Sequence, residues 1–297
     1  MHARDPALLE QLIEHAISLA GLYLVAEDAL QRAVDLVVDV LAAEGDVTLG
    51  RLLVDEGVEP FTATLLFTHT HHDHLEGLPF FKPAYNASTT LYIFGPKSLS
   101  MDLREILIHE MLPPYFPVTL EEMQATKSIV DISELDSIVL DVATRIPRVV
   151  KDHDAPKAAA DGLAVISASR GTNHPGGSIF SYSIAYKGKR MVFATDVEGG
   201  GEDDKRLADF SRGADLLIHD SQYFAEQYAS SKKGWGHSTP EVAADVAARA
   251  GVKQLVLHHH EPEHDDATVD RIEQIAKKLF PNSIAGYEGM EIELDAS

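Results

Sequence analysis

The stretch Thr68-His69-Thr70-His71-His72-Asp73-His74 places four histidines and one carboxylate within six positions, directly after the apolar run 63–67. A strand that ends at such a cluster presents these side chains from a tight turn, where several of them converge. Imidazole nitrogen and carboxylate oxygen are the ligands that first-row divalent metals prefer, zinc above all. On an extended chain His69 and His71 point the same way, while Asp73 and His74, on the next turn, can serve a second ion. The stretch therefore predicts a dinuclear metal site.

Length and charge restrict the class of protein. The 297 residues, 45% of them hydrophobic, can bury a large core in one domain or in a domain with an appendage. Lys+Arg number 25 and Asp+Glu 47, so the formal net charge is −22, and no run of basic residues is longer than the pair Lys232-Lys233. A field of this sign repels polyanions. We therefore expect long RNA or DNA to be disfavoured as a partner.

The absence of cysteine excludes disulfides, thiolate zinc sites and cysteine nucleophiles, and it fits a reducing compartment. The first residues do not begin a signal peptide, since charges interrupt every apolar stretch near them. No stretch approaches the roughly 20 apolar residues that span a bilayer. The sequence therefore predicts a soluble cytoplasmic protein that makes no contact with a membrane.

The periodicity of apolar residues divides the chain in two. Residues 7–44 predict helices at 7–20 and 26–44 with a break near Gly21, so we expect a helical N-terminal segment over 1–46 and a second domain over 47–297. In the second domain short strands alternate with helices, which indicates an α/β protein. The segment 145–161 is charged and is predicted to be an exposed loop. Strands are expected at 63–67, 90–94, 137–142, 163–168, 179–186, 190–195, 214–218 and 254–258, and helices at 97–111, 203–211, 239–250 and 266–279.

Further residues of metal-binding type follow the ends of predicted strands. They are His174 before a glycine turn, Asp196 after an apolar strand, the pair His219-Asp220, and the triplet 258–260. A single histidine or aspartate at such a place is more often structural. Several of them, together with the cluster at 69–74, favour one shared site.

These motifs, taken in order, resemble those of the metallo-β-lactamase-fold hydrolases. They are the 69–81 segment, Asn173-His174-Pro175-Gly176-Gly177, Ala194-Thr195-Asp196, Gly236-His237-Ser238-Thr239 and His259-His260-Glu261-Pro262. The likeness covers residues 50–290 and is closest to the branch that contains ribonuclease Z and related phosphodiesterases. It implies an α/β protein with the αββα sandwich of that fold. The helical N-terminal segment is then an atypical replacement of the strands with which the family usually begins.

The resemblance also implies a ligand set for two divalent ions, most simply zinc, with manganese or iron as alternatives. His259 is selected within the triplet because it stands three residues before Pro262, although His258 and His260 remain alternatives. The implied ligands are His69, His71 and His174 for one ion, Asp73, His74 and His259 for the other, and Asp196 as the bridge.

Other residues are expected to have supporting roles, of which that of His237 is implied by the same resemblance. His237 is expected to stabilise the substrate or to protonate the leaving group, and a capping position next to the following helix is the alternative. His264 is expected to line the substrate pocket. His219 and Asp220 would orient ligands through hydrogen bonds. His72 would point away from the metals.

The expected activity is hydrolysis of a small or cyclic phosphodiester by a hydroxide that bridges the two metals, with Asp73 orienting it. A lactone, thioester or β-lactam hydrolase of the same fold is one alternative, and a non-catalytic metal-binding assembly module is another. An iron oxidoreductase would use more carboxylate ligands, so His74 and His259 disfavour it. The apolar N-terminal segment is expected to pack on the domain or on a second copy, giving a homodimer.

Overall fold

The computed structural model describes residues 22–23, 36–38, 61–98, 100–156, 162–287, 290, 292 and 294. The chain forms two compact units, each with its own β-sheet. The first comprises Met1–Ile132 with Tyr287–Ile292, and the second comprises Ser133–Gly286 with Glu293–Ser297. The domain boundary expected after residue 46 lies outside the described residues and stays a prediction.

The sheet of the first unit has five strands in the order β1-β2-β3-β4-β5. β1 and β2 are antiparallel, and β2 to β5 are parallel to one another. The central strands β3 and β4 are buried along most of their length, as strands of a parallel sheet usually are. The strands are β1 Leu22–Tyr23, β2 Leu36–Val38, β3 Thr62–Leu66, β4 Thr90–Pro96 and β5 Thr126–Ile132.

Two helices and two single 3₁₀ turns accompany this sheet. The helices are α1 His72–Leu75 and α2 Leu103–Glu110, and the 3₁₀ turns are Leu78–Phe80 and Lys82–Tyr85. α2 begins with a reciprocal capping box, in which Asp102 accepts from the Glu105 backbone N–H and Glu105 accepts from that of Asp102. Leu103 and Leu107 of α2 are fully buried in the core against the sheet. Each such leucine contributes roughly 1.5–3 kcal/mol.

The described N-terminal residues correct the expectation of helices. Leu36–Val38 lies inside the helix predicted over 26–44 but forms β2, paired to β3 at Leu36 with Thr64 and at Val38 with Leu66. β-Branched valines favour a pleated strand, and Val34, Val37, Val38 and Val40 cluster here, so strand propensity prevails over the apparent helical period. The five described residues therefore form the first two strands of the sheet, in a segment where helices were expected instead of the strands with which the family usually begins. The other residues of the segment 7–44 lie outside the described part.

The second unit has eight strands in the order β13-β12-β11-β10-β9-β8-β6-β7. β10, β11, β12 and β13 are parallel, whereas β6 to β10 are joined in antiparallel pairs. The strands are β6 Asp136–Asp141, β7 Ile146–Lys151, β8 Leu163–His174, β9 Gly177–Tyr186, β10 Lys189–Ala194, β11 Leu216–Asp220, β12 Gln254–His258 and β13 Ser283–Ala285.

Helices cover the parallel half of this sheet. Buried alanines and leucines of three helices share one core with Val192, Leu217 and Leu255 of the strands. Thr239 caps one helix by accepting from the Val242 backbone N–H at 3.4 Å, and Pro240 is the first residue of that helix. The helices are α3 Glu202–Phe210, α4 Ala225–Gln227, α5 Pro240–Ala250 and α6 Asp266–Leu279; a 3₁₀ turn, Asp152–Asp154, and a π-helix, Tyr228–Lys232, complete the list.

The strands and helices predicted in the second unit are present with their ends shifted by at most two residues, except that β8 continues to His174, six residues beyond the predicted 163–168. The predicted exposed loop 145–161 is wrong in part, because β7 Ile146–Lys151 pairs with β6 there. β7 lies at the edge of the sheet and is largely exposed, so its sequence lacks the apolar face that marks a buried strand. Among the described residues, no helix has the length and apolar character needed to cross a membrane.

Candidate metal and catalytic site

The histidine cluster of the first unit begins where β3 ends. The Phe67 backbone N–H donates to the Phe94 carbonyl at 2.8 Å, which prolongs the pairing of β3 with β4 by one residue. The Phe67 side chain is fully buried and anchors the end of the strand. Thr68, also buried, contacts His69 Nδ1 with its hydroxyl at 3.1 Å. The residue two positions before the first histidine is thus fixed to the sheet through its backbone, and the ring of that histidine contacts the Thr68 hydroxyl.

Three of the predicted ligands in this stretch pack ring against ring. The ring centroid of His69 lies 4.6 Å from that of His71 and 4.3 Å from that of His74. His74 Nε2 lies 3.4 Å from the Asp73 carboxylate, which α1 carries beside it. His69 and His74 are buried, whereas Asp73 is mostly exposed. The segment thus gathers three imidazoles and one carboxylate, which is a donor set suited to divalent metals.

His72 belongs to the same run but lies apart from this group. Its Nδ1 is 2.8 Å from Glu110 at the end of α2, its Nε2 is 3.6 Å from Glu76, and 72% of its side chain is exposed. The expectation that His72 points away from the metals stays a prediction. His72 also provides a matched control for substitutions of the neighbouring ligands.

In the second unit the predicted ligands follow the ends of different strands. His174 is the last residue of β8, Asp220 is the last of β11, and Asp196 and His259 stand just beyond β10 and β12. Because β10, β11 and β12 are parallel, their carboxyl ends share one edge of the sheet, which is where ligands bind in such sheets. Asp196 and His259 have left-handed backbones, with φ of 54° and 58°.

Asp196 and His259 contact each other directly. His259 Nε2 lies 3.4 Å from Asp196 Oδ1, and the Thr195 hydroxyl donates to Asp196 Oδ2 at 2.6 Å. The Gln222 side-chain amide lies 3.1 Å from His259 Nδ1. This arrangement favours His259 within the triplet 258–260.

The flanking histidines are directed elsewhere. The ring of His258 stacks edge-on against Phe193 at 5.5 Å. His260 Nε2–H donates to the Gly286 carbonyl at 3.3 Å, and burial lowers the pKa of His260.

Asp220, which is buried, and His237, which is partly buried, form a carboxylate–imidazole pair. His237 Nδ1 lies 2.8 Å from Asp220 Oδ2 and 3.8 Å from Asp196 Oδ1. The backbone N–H groups of Ser238 and Gln222 donate to Asp220 Oδ1 at 2.8 and 3.1 Å. Ligand atoms of Asp220, His237 and His259 lie within 4.8 Å of one another. The short distance between His237 Nδ1 and Asp220 Oδ2 favours a direct hydrogen bond between the two side chains over a metal ion bound between them.

Glu198 is a functional candidate that sequence reasoning missed. Its buried carboxylate accepts from the backbone N–H of Gly234 at 2.6 Å and of Gly236 at 2.9 Å, and from the Tyr228 hydroxyl at 2.8 Å. Burial, reinforced by Glu198, raises the pKa of Tyr228 to about 12, so this hydroxyl remains a donor. Glu198 therefore fixes the loop that leads into His237. The pattern Asp196-Val197-Glu198 offered a signal, but the partners lie 36 and 38 residues away.

Gly236 connects this loop to His174. His174 Nδ1–H donates to the Gly236 carbonyl at 3.3 Å, which sets the ring orientation of the histidine. Gly236 has φ of 96°, and a Cβ there would clash with His174 Nδ1 and lie 2.7 Å from Pro175 Cδ. Only glycine allows this approach without displacement.

The two remaining predicted residues, His219 and His264, make contacts of other kinds. His219 Nδ1–H donates to the backbone carbonyl of Asp220 at 2.7 Å, and burial lowers the pKa of His219, so its ring is neutral. His264 packs against the ring of Phe224 at 5.6 Å. Within the described part of the chain, no hydrogen-bond partner of either ring nitrogen of His264 is present. A role for His264 in substrate binding stays a prediction.

Comparison with curated proteins finds relatives along most of the chain. A protein of Gemmatimonas aurantiaca named Ribonuclease Z is 28% identical over 82% of this chain and 83% of its own length. Ribonuclease Z of Haloarcula marismortui is 28% identical over 76% and 78%, respectively.

These relatives correct one expectation. The acidic composition led us to expect that long nucleic acid is disfavoured as a partner, and this expectation is wrong, because the relatives are named as ribonucleases. Net charge is a sum over the whole surface and does not report the field at one site, where bound cations and a few lysines can reverse the sign.

The comparisons of structure and family agree on the fold. The metallo-β-lactamase fold protein YhfI of Bacillus subtilis superposes with a TM-score of 0.58 at 18% identity, covering 92% of this chain and 96% of its own. The short form of human tRNase Z has a TM-score of 0.57 at 20% identity, covering 94% and 93%. The model of the Beta-lactamase superfamily domain matches residues 50–260. The predictions of an α/β metallo-β-lactamase-like fold and of a metal-dependent hydrolase are confirmed, and the chain belongs to the β-lactamase superfamily domain family.

Proposed function

We propose that the protein is a dinuclear metal-dependent phosphodiesterase that hydrolyses phosphodiester bonds of RNA. The proposal rests on the donor sets of the two units and on relatives that are ribonucleases. A small or cyclic phosphodiester as the substrate remains a prediction, and the experiment below compares the hydrolysis of such compounds with that of RNA. Cytoplasmic location and homodimer formation also remain predictions.

The ligand set proposed for two zinc ions is the one that the resemblance in sequence implies. Two such ions, when bound, lower the pKa of a bridging water towards neutrality and stabilise charge on a phosphoryl oxygen. The chemistry of the donors fits, since buried imidazoles and carboxylates in contact are stabilised by a shared cation. The proposed ligands are His69, His71 and His174 for one ion, Asp73, His74 and His259 for the other, and Asp196 for both.

The observation that carries the proposal is the Asp220–His237 pair beside Asp196. Cleavage of a phosphodiester leaves an alkoxide, which needs a proton. With Asp220 Oδ2 at 2.8 Å from Nδ1, the His237 ring is stabilised in its protonated form and keeps Nε2–H as the second donor. Asp73, mostly exposed next to His74, would orient the attacking water through its carboxylate. His237 is thus the proposed general acid.

The experiment compares substrate classes on protein loaded with zinc. Hydrolysis of a short RNA, a cyclic nucleotide and bis-p-nitrophenyl phosphate is measured alongside a lactone, a thioester and a β-lactam, and metal is counted by elemental analysis. We expect about two ions per chain and cleavage of the phosphodiesters, with Asp196→Ala reducing occupancy of both sites. Loaded protein that opens lactones or β-lactams but cleaves no phosphodiester would overturn the proposal. Loaded protein inactive on every class would favour the non-catalytic alternative.

A further inference from the structure

The single tryptophan of the chain lies exposed on the loop that leads to His237. Trp235 is two residues before His237 and is 55% exposed. Lys232 Nζ lies 3.8 Å from the centroid of its ring, so the ammonium group covers one face of the indole. Lys233, also exposed, follows directly. An exposed aromatic side chain and two adjacent positive charges thus stand together in a chain whose net charge is −22.

This loop is continuous with the proposed general acid. Lys232 Nζ also lies 5.1 Å from the ring centroid of Tyr223, and the Tyr223 ring lies 5.8 Å from that of His237. Tyr223 is buried, and burial raises its pKa to about 12, so it is uncharged beside the lysine. Trp235, Lys232, Tyr223 and His237 therefore form one row, called here the aromatic row, which runs from an exposed end to the catalytic histidine.

We propose that the exposed end of the aromatic row binds an unpaired nucleotide of RNA next to the cleaved bond. The base would stack on Trp235, and the ammonium groups of Lys232 and Lys233 would contact a phosphate. This inference rests on the proposed function and deepens it by naming single-stranded RNA as the substrate at this subsite. Aromatic stacking is the way proteins bind unpaired bases without reading their sequence, and lysine binds phosphate as a point charge.

The charge distribution favours a nucleotide over an apolar partner. A strongly acidic protein attracts a polyanion only where positive charge is concentrated, and only Gly234 separates Lys232-Lys233 from the exposed Trp235 in the sequence. A paired duplex hides the faces of its bases, so only a single-stranded segment can use Trp235 as a platform. The row also ends at the histidine that would protonate the leaving oxygen, which places the nucleotide beside the reacting bond.

Binding can be measured directly, because Trp235 is the only source of tryptophan fluorescence. The metal-loaded full chain is titrated with adenosine monophosphate and with ribose 5-phosphate, which has the same sugar and phosphate but no base. We expect adenosine monophosphate to quench the emission and ribose 5-phosphate to bind about tenfold more weakly or not at all. The variant Lys232→Ala should weaken the binding of adenosine monophosphate. Equal binding of the two compounds, or no quenching by either, would overturn the subsite.

Catalysis provides the second readout. Two short RNAs are compared, one with a normal nucleotide and one with an abasic ribose beside the cleaved bond. The wild type should show about a tenfold lower KM for the RNA with the base. Trp235→Ala should lose this difference, and Trp235→Phe should keep most of it. Tyr115→Ala, which removes an 85% exposed aromatic residue from the first unit, is the control and should keep all of it.

The outcomes separate the subsite from the proposed function. Cleavage of RNA with no difference between the two RNAs in the wild type would overturn the subsite and leave the phosphodiesterase intact. Quenching by adenosine monophosphate in a protein that cleaves no phosphodiester would support a nucleotide site and reject the proposed activity.

Discussion

The two units supply residues of metal-binding type in opposite ways. In the first, one six-residue run after β3 provides His69, His71, Asp73 and His74. In the second, Asp196, Asp220, His237 and His259 come from four separated segments, and a loop and the register of parallel strands bring them into contact. A local cluster depends on its own backbone. The cluster of the second unit also depends on residues that bind no metal but hold its separate segments in contact. Substitutions outside the ligands should therefore lower activity more in the second unit than in the first.

The largest expected effect tests the local cluster with two neighbouring histidines. His71→Ala removes a proposed ligand and should reduce phosphodiester hydrolysis on the order of a thousandfold, more than the ~100-fold that losing an outer partner costs. His72→Ala removes an exposed ring that pairs with Glu110, so activity should stay within about twofold of the wild type. Turnover and metal content are measured for both. Equal losses in the two variants would contradict the assignment of ligands.

The next effect tests the Asp220–His237 pair in the assembled cluster. In Asp220→Asn the two backbone N–H groups that donate to Oδ1 keep the amide oxygen at that position. The amide NH₂ group then faces His237 Nδ1, and it does not stabilise the protonated ring as the carboxylate does. We expect kcat on RNA to fall about a hundredfold.

The leaving group provides the control for Asp220→Asn. A p-nitrophenolate leaves without a proton, so hydrolysis of bis-p-nitrophenyl phosphate should fall much less than cleavage of RNA. Equal losses on the two substrates would show that Asp220 holds the fold or a metal rather than the general acid.

A smaller effect is expected from Glu198→Gln, which changes no proposed ligand. The substitution replaces one carboxylate oxygen by an NH₂ group that faces a donor, and this destabilises the 234–237 loop by about 1–3 kcal/mol. Activity should fall about tenfold through displacement of His237. Tyr228→Phe removes a single donor to Glu198 and should have a smaller effect. Turnover and thermal melting are measured together, and unchanged activity in Glu198→Gln would show that the loop does not depend on this carboxylate.

The smallest effect compares two glycines of that loop. Gly234 and Gly236 both have positive φ, so alanine strains the backbone at either place, by about 1 kcal/mol or more. Only at Gly236 would the new Cβ meet His174 and Pro175, whereas nothing lies within 4 Å at Gly234. Melting should shift in both variants, and activity should fall further in Gly236→Ala. Equal activities would mean that His174 tolerates displacement.

The fold was predictable wherever apolar residues marked a buried face. The strand expected at 254–258 and the helix expected at 266–279 occur with those bounds, since both bury one side in the core of the second unit. β7 was missed because an exposed edge strand has no such side, and β2 was taken for helix because its valines also fit a helical period.

The site was predictable to the extent that its residues are local or belong to a recognisable motif. The contacts among His69, His71 and His74 follow from their spacing. The contact of His237 with Asp220 depends on how a loop returns to the end of β11, and that of Glu198 with Gly234 and Gly236 depends on backbone donors that any residue provides. Backbone groups leave no trace in a sequence, so such contacts need the structure.

The left-handed backbones of Asp196 and His259 set stability against function. A positive φ destabilises the backbone of a residue that has a Cβ by about 1–3 kcal/mol. The destabilisation is smaller for asparagine, and glycine avoids it because it has no Cβ. Asp196→Asn or His259→Gly should therefore yield a protein that melts at a higher temperature without metal but cannot retain its ions. Melting curves of these variants with and without zinc would measure how much stability the two proposed ligands cost the apoprotein.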